Sequence, residues 1–558
     1  MPDLDLEALP ETPDVQGGFP RLSEEQIGRL AAQGTRRPTR TGEILYREGE
    51  ECPDFFVVLD GKVAAIEDYD GDPKVVYVHG PGRFLGELGL LTGQRAYLTN
   101  VVSQAGEVLV VPVSRLRELV VQDPVLGDLI LRAYLIRRAL LIETGSGFRL
   151  IGSRYSPGTR RLREFAARNR LPCHWIDLEE DKSAEALLRR LGISAEETPV
   201  VLLGGTNVLR NPSNAELARA IGLPVGVSRE TLCDLVVVGA GPAGLAASVY
   251  GASEGLTTIT LDAIATGGQA ATSSRIENYL GFPAGISGAE LAERAVIQAN
   301  KFGAHFSVPA EASSLYERDG AHAIGLADGT SVLARTVIIA TGARYCRLDV
   351  PRLEEFEGST VFYAATLSEA LVCQNDPVVV VGGGNSAGQA ALFLAGHAAE
   401  VRLLVRHGDL CKDMSRYLVD QVERHPRVEV MLHTEIRELI GHDGVLEAVV
   451  AEDNLTGEPK KLDAKALFVF IGAAPHTQWL ADTLALDERG FILTGPAAGA
   501  AQDCAPNLLE TSRPGIFAVG DVRSGSIKRV ASAVGEGSMA VRLVFEHFQG
   551  QGTTTSVS

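Results

Sequence analysis

CDLVVVGAGPAGLAASVYGASEGLTTITLDA, residues 233–263, is the stretch on which the fold turns. The apolar run 235–238 reads as a strand buried on both faces of a parallel sheet. It enters Gly239-x-Gly241-x-x-Gly244, a helix of small residues follows, and Asp262 ends the next strand. Each part has a physical task in holding a dinucleotide. Gly239 permits the tight turn, Gly241 lets the backbone approach a pyrophosphate, and Gly244 lets helix and strand pack closely. The helix N-terminus offers free N–H groups and the positive end of its dipole. Asp262 can accept hydrogen bonds from the ribose hydroxyls. A Gly-rich turn alone would be a weak signal, but here strand, helix and acid all stand in order around it.

Three further segments extend the pattern. GGQ, with Gly268 and Gln269, follows the acid closely; ATG, with Thr341 and Gly342, follows another strand; GIFAVGD, with Gly520 and Asp521, comes late in the chain. Together with 233–263 they resemble the thioredoxin-reductase-like class of pyridine nucleotide-disulfide oxidoreductases, over about residues 231–548. The resemblance implies FAD at the first site. It places Asp521 on the ribityl chain, the GGQ segment along the cofactor, and Asn278 near the flavin. It brings the backbone of Lys528, Arg529 and Val530 close to the isoalloxazine.

PVVVVGGGNSAGQAALFLAGHAAEVRLLVR, residues 377–406, repeats the logic with Gly382-x-Gly384-x-x-Ala387, and Asn385 opens its helix. An acid at the end of the following strand would favour NAD; Arg406 there suits a 2′-phosphate and points to NADP(H). The resembled family's NADPH pattern continues with further arginines, where this chain has His407 and Cys411. NAD(H) therefore stays open. Gly472 and Pro475 resemble the segment that returns the chain to the FAD domain. The two connecting linkers are expected at 342–345 and 472–477, and the resemblance implies rotation of the nicotinamide domain about them.

The family's next step needs a CxxC pair ahead of the nicotinamide strand. Here Ala364 and Leu367 stand at the matching positions, and neither carries a thiol. Cys373 is read as a buried small apolar residue. Electrons must leave a reduced flavin by another route.

Residues 144–226 resemble a thioredoxin or glutaredoxin-like fold, by element order and by Thr198-Pro199 before a strand, where that family's proline is usually cis. Ser156-Pro157-Gly158-Thr159 occupies the CPxC turn; it keeps a helix cap but no redox pair. Residues 21–143 resemble a cyclic-nucleotide-binding β-roll. That resemblance assigns Gly86, Glu87 and Leu88 to the cassette helix, Glu87 to the ribose 2′-OH, and Arg95 followed by Ala96 to the cyclic phosphate of cAMP or cGMP. Gln94 and the bulky Tyr97-Leu98 depart from the usual pattern, and no helix-turn-helix follows.

The expected architecture is multidomain α/β. An N-terminal cyclic-nucleotide-binding β-roll and a thioredoxin/glutaredoxin-like insert precede two Rossmann-like domains for FAD and NAD(P). Residues 1–20 read as a disordered lead, 231–344 and 475–548 as the FAD domain, 345–474 as the NAD(P) domain, and 549–558 as a tail. A net charge of −19 argues against nucleic-acid binding. No apolar run is long enough to span a membrane, and no cysteines are spaced as a metal knuckle. Seven scattered cysteines fit a reducing cytoplasm. The function expected is hydride transfer from NAD(P)H to FAD, with an unknown electron acceptor and regulation by a cyclic nucleotide, in a homodimer. The alternatives are a ligand sensor whose flavin is structural or a redox gauge, and a disulfide reductase using an atypical thiol.

Overall fold

The computed structural model describes residues 8–553, apart from 52–53, 70–71, 87–93, 191, 204–206, 227–231, 274–275, 277–278, 358, 364, 366–368, 371–372, 443 and 500–506. The N-terminal β-roll is built on the long strands Asp54–Tyr69 and Thr99–Pro112, paired antiparallel. The apolar stretch after it forms two helices, Val113–Gln122 and Pro124–Glu143. Asp123 separates them. Its side chain accepts from the N–H groups of Val125 and Leu126, and Pro124 occupies the first turn, where its missing N–H costs nothing.

The lead is not loose where it is described. Thr12 N donates to Val78 O at 3.1 Å, Val78 N donates to Thr12 Oγ1 at 2.8 Å, and Phe19 is 2% exposed. These bonds dock the segment on the open edge of the strand Asp72–His79, an ordering that composition alone does not reveal.

The middle domain is a four-stranded sheet. Phe148–Ile151 lies parallel to Cys173–Ile176 and antiparallel to Val200–Leu203, and the edge strand is Asn207–Arg210. Thr198-Pro199 is cis, as the resemblance implied, and Ser156 caps the helix Pro157–Arg168. A Cβ on Gly158 would lie 2.9 Å from Pro199 Cδ, so this proline faces the thiol-less turn.

In the first dinucleotide domain, Cys233–Val238 sits between Thr258–Leu261 and Ser331–Ile339, parallel to both; Ile516–Ala518 joins on the far side of Ser331–Ile339, again parallel. The second is a five-stranded parallel sheet centred on Pro377–Val381. The two linkers pair with each other: Ala343–Tyr345 runs antiparallel to Ala473–Pro475. The last helix, Val530–Thr553, continues through the start of the expected tail; no proline interrupts it, and Gly550 and Gly552 fall within its last turn.

Candidate active site: two dinucleotide cradles and an interdomain cleft

Three motifs far apart in sequence meet at the C-terminal ends of neighbouring parallel strands. A Cβ on Gly239 would lie 2.3 Å from Ala340 O, next to Thr341 and Gly342; one on Gly520 would lie 2.9 Å from Ala243 Cβ. One on Gly244 would lie 1.8 Å from Gly239 O. Only glycine fits these positions, since the obstructing atoms are backbone or core. The crevice beyond the strand ends is where open parallel sheets bind ligands.

Gly241 and Gly268 face one another, and a Cβ on Gly268 would lie 3.0 Å from Gly241 Cα. Gln269 Nε2 donates to Ala343 O at 3.3 Å, and Thr341 Oγ1 donates to His476 O at 3.1 Å. The GGQ loop and the ATG turn are thus tied to the linker ribbon. Asp262 accepts from Ala240 N at 2.8 Å, Ile264 N at 3.0 Å and Ala265 N at 3.1 Å. Burial pushes its pKa up, opposed by these three donors.

Asp521 is the opposite case. Among the described residues no donor is recorded for its carboxylate, and burial raises its pKa against the pull of Lys528. Such a group suits a ligand hydroxyl. Lys528 itself stands 4.5 Å from the Phe491 ring and donates to Asp521 O. Arg529 is exposed, and Val530 starts the final helix beside it. Asn278 lies outside the described residues.

In the second cradle, a Cβ on Gly382 would lie 2.3 Å from Phe470 O, whereas one on Gly384 meets nothing nearer than 3.8 Å. Asn385 Oδ1 accepts from Ser415 N at 2.7 Å, and Ala387 is fully buried in the third position of the motif. Arg406 is exposed at the strand end. His407 Nε2 lies 3.1 Å from Asp413 Oδ2, and a Cβ on Gly383 would lie 3.0 Å from that nitrogen. Gly472, at φ 100°, accepts from Cys346 N at 3.0 Å where the linkers pair. Ala364 and Leu367 lie outside the described residues; Cys373 is fully buried, and burial pushes its thiol up to about 11.

The residues fit a flavin dinucleotide and a nicotinamide partner. Neither the helix Pro242–Ser253 nor Asn385–Leu394 has a side-chain cap, so neither N-terminus is filled by the chain itself. A cleft of about 1130 Å³ lies between the helix Gly288–Lys301, the residues Ala167–Arg170 of the middle domain and the N-terminal domain near Pro124, and it reaches Gly268 and Thr272 on the loop after Asp262 and Glu369 beyond it.

Residues 233–537 match the family model of the pyridine nucleotide-disulphide oxidoreductases. The chain belongs to this family. Its members bind FAD and NAD(P). Residues 36–123 match the cyclic nucleotide-binding domain. The oxidoreductase is 34% identical over 311 residues to the thioredoxin reductase of Treponema pallidum, covering 56% of this chain and 95% of that one. It is 32% identical over 325 residues to a 34.2 kDa protein in the rubredoxin operon of Clostridium pasteurianum, covering 58% and 100%. The solved thioredoxin reductase of T. acidophilum superimposes with a TM-score of 0.51 at 30% identity, covering 57% and 99%.

In the N-terminal domain of this oxidoreductase, residues 87–93 lie outside the described residues, and a small cavity is lined by those described beside them. The cavity beside Gly86 and Ala96 measures about 40 Å³, between His79, Tyr77, Tyr97 and Arg137. Organic-ligand pockets are commonly about 300–1,000 Å³. Tyr97 packs in the middle domain's core, and its hydroxyl donates to Gln94 Oε1 at 3.1 Å. Arg95 N donates to Ile221 O at 3.2 Å, while its side-chain Nε is buried without a partner among the described residues. Glu87 and Leu88 lie outside the described residues.

Two features escaped the sequence. Arg138, Arg170 and Glu293 form an ionic junction between domains, and Arg168 lines the cleft with Gly268 and Thr272. Each is one arginine among many, with no local pattern to mark it. Among the described residues no three metal-ligating side chains gather, and no helix is long and apolar enough to cross a membrane.

Proposed function

We propose that this chain is an NAD(P)H-dependent FAD oxidoreductase that passes electrons to its acceptor without a dithiol relay. The observation that carries it is the convergence of Gly239, Thr341 and Gly520 at adjoining strand ends, beside a second cradle joined through the paired linkers. Gly239, Gly241, Gly244 and the helix behind them would hold the diphosphate. Asp262 would hold the adenosine ribose, and Asp521 the polyol. Gly382, Gly384 and Arg406 would hold the nicotinamide dinucleotide, with Arg406 favouring the 2′-phosphate. Bound FAD supplies two-electron chemistry at its isoalloxazine. The chain's own part is to orient the two ligands, exclude water and hold the charges at their ends.

The spacing of the thiols supports direct delivery to an acceptor, although Cys346 is half-buried and Cys411 exposed. No two of the seven cysteines lie within three residues of each other. Burial pushes Cys173 and Cys233 up to about 12 and Cys373 up to about 11, which leaves them poor nucleophiles at neutral pH. Cys52 and Cys504 lie outside the described residues. Stopped-flow mixing of the holoprotein with NADPH or NADH tests the reading. Bleaching of the flavin band is expected, followed by reoxidation with a quinone, ferredoxin, thioredoxin or oxygen. No bleaching by either nucleotide would refute it.

A regulatory role for the N-terminal domain is favoured by one observation. Arg137 reaches Phe84 O at 3.0 Å, just ahead of the cassette, and its neighbour Arg138 reaches Glu293 of the FAD domain. A ligand such as cAMP or cGMP acts through this helix only if it binds one arrangement better than the other. Identical flavin-reduction rates with and without either nucleotide would dismiss the coupling. Sedimentation of the holoprotein tests the homodimer that accompanies this reading.

A further inference from the structure

We propose that the thiol-less middle domain completes the flavin site: Arg168, at the end of the helix Pro157–Arg168, supplies a guanidinium that pairs with the diphosphate of FAD. The proposal rests on the reading of residues 239–262 as an FAD cradle.

Placement is the first argument. Arg168 lines the cleft together with Thr266, Gly268, Ala271 and Thr272, the loop that follows Asp262. The domain that carries it is fixed there. The next residue, Asn169, donates from Nδ2 to Ile264 O at 3.0 Å, two residues beyond Asp262. Arg170 pairs with Glu293 on the other side.

The state of the side chain points the same way. Its one recorded ion pair is with Glu164, 3.7 Å away, one turn back on the same helix and 66% exposed. A pair of that kind is worth little. Arg168 is only 28% exposed, so a planar fork is held in the cleft with most of its donors uncommitted among the described residues.

The electrostatics agree with that placement. The charge of Arg168 acts on two groups, favouring the ionised forms of Asp262 and Tyr345. Asp262 marks the adenosine end of the cradle. Tyr345 belongs to the linker strand and bonds to Thr272, so it marks the flavin end. The diphosphate lies between those ends in the covalent order of FAD. Arg168 is within electrostatic reach of both ends. The cradle also needs a cation, because Asp262 and Asp521 both oppose an anionic ligand, whereas an arginine fork matches phosphate geometry.

Flavin-free protein would be titrated with FAD by fluorescence quenching at low and moderate salt. The chains compared are wild type, Arg168→Ala, Arg168→Lys and the exposed same-helix control Arg160→Ala. Arg168→Ala is expected to weaken FAD binding about 10- to 100-fold and to flatten its salt dependence. Arg168→Lys should recover part of the affinity, and Arg160→Ala should match wild type. Equal affinities for Arg168→Ala and wild type would overturn the proposal. So would an equal loss in Arg168→Ala and Arg168→Lys accompanied by a lower unfolding midpoint of the flavin-free chains, which would mark a packing contact. Failure of the wild-type chain itself to take up FAD would instead refute the cradle, and this proposal with it.

Discussion

The Arg138 guanidinium meets the Glu293 carboxylate at 2.9 Å, with only 6% and 7% of the two side chains exposed. Arg138 belongs to the helix Pro124–Glu143 that closes the sensor-like domain; Glu293 belongs to Gly288–Lys301, the helix behind the flavin loop. Arg138 also donates to Arg170 O at 2.8 Å and Asn169 O at 2.7 Å in the middle domain. One guanidinium thus touches three domains. Gly288 shows how close the last link is: a Cβ there would lie 1.7 Å from Ala270 O, inside the flavin loop.

Glu293→Gln leaves Arg138 and Arg170 buried beside a neutral amide. Breaking a buried pair from one side typically costs about 3–5 kcal/mol. Denaturant unfolding should show a loss of that order, and Glu290→Gln, on the exposed side of the same helix, should show little. A change within error at Glu293 would mean that the junction is satisfied by water.

His79 sets a pH dependence. It is 1% exposed, and burial, with the charges of Arg137 and Arg83, holds its pKa well below the ordinary 6.5. Phe19 and Tyr77 close its other sides, and Glu11 pairs with Arg83. Below pH 6.5 the unfolded chain binds a proton that the folded chain refuses. The His79 contribution is therefore complete above that value and is lost as pH falls toward the folded pKa. The slope approaches about 1.4 kcal/mol per pH unit. Stability measured from pH 7 to 5 should fall less steeply in His79→Phe than in wild type; parallel curves would count against a neutral histidine.

Arg406 separates the nicotinamide cofactors. Arg406→Ala should raise KM for NADPH about tenfold and leave that for NADH nearly unchanged, since only the former carries the 2′-phosphate. Steady-state kinetics with both reads this directly. A uniform change would remove Arg406 from the specificity site.

The glycines differ in kind. Gly244→Ala places a methyl 1.8 Å from Gly239 O, and the obstructing carbonyl is fixed in the strand-to-helix turn. That variant should lose most of its bound flavin, measured by the visible absorbance per chain. Gly384→Ala, with 3.8 Å of room and φ −94°, should keep its flavin content and full solubility. Retained flavin in Gly244→Ala would show that the turn can open.

Local signals had local causes. The buried strand 235–238 and its glycine turn were legible because local backbone geometry dictates glycine there: a Cβ on Gly244 would strike the Gly239 carbonyl five residues back, and Gly239 has φ 105°. The same holds for Ser156 as a helix cap and for the linkers on either side of the nicotinamide domain. The described part of the lead, from residue 8, takes its order from a distant strand edge, Asp72–His79, and not from its own composition.

By itself, the sequence determined that this protein carries two dinucleotide cradles and lacks a CxxC pair, since both depend on residues at fixed short spacing. Tertiary structure alone decided which surfaces meet. It packed Tyr97 into the middle domain's core, and it brought Arg138 and Arg170 onto Glu293 and Arg168 beside the loop at Gly268. The physical reason is range. A turn or cap is specified by neighbours along the chain, whereas the partner of a buried charge is chosen by packing between domains far apart in sequence.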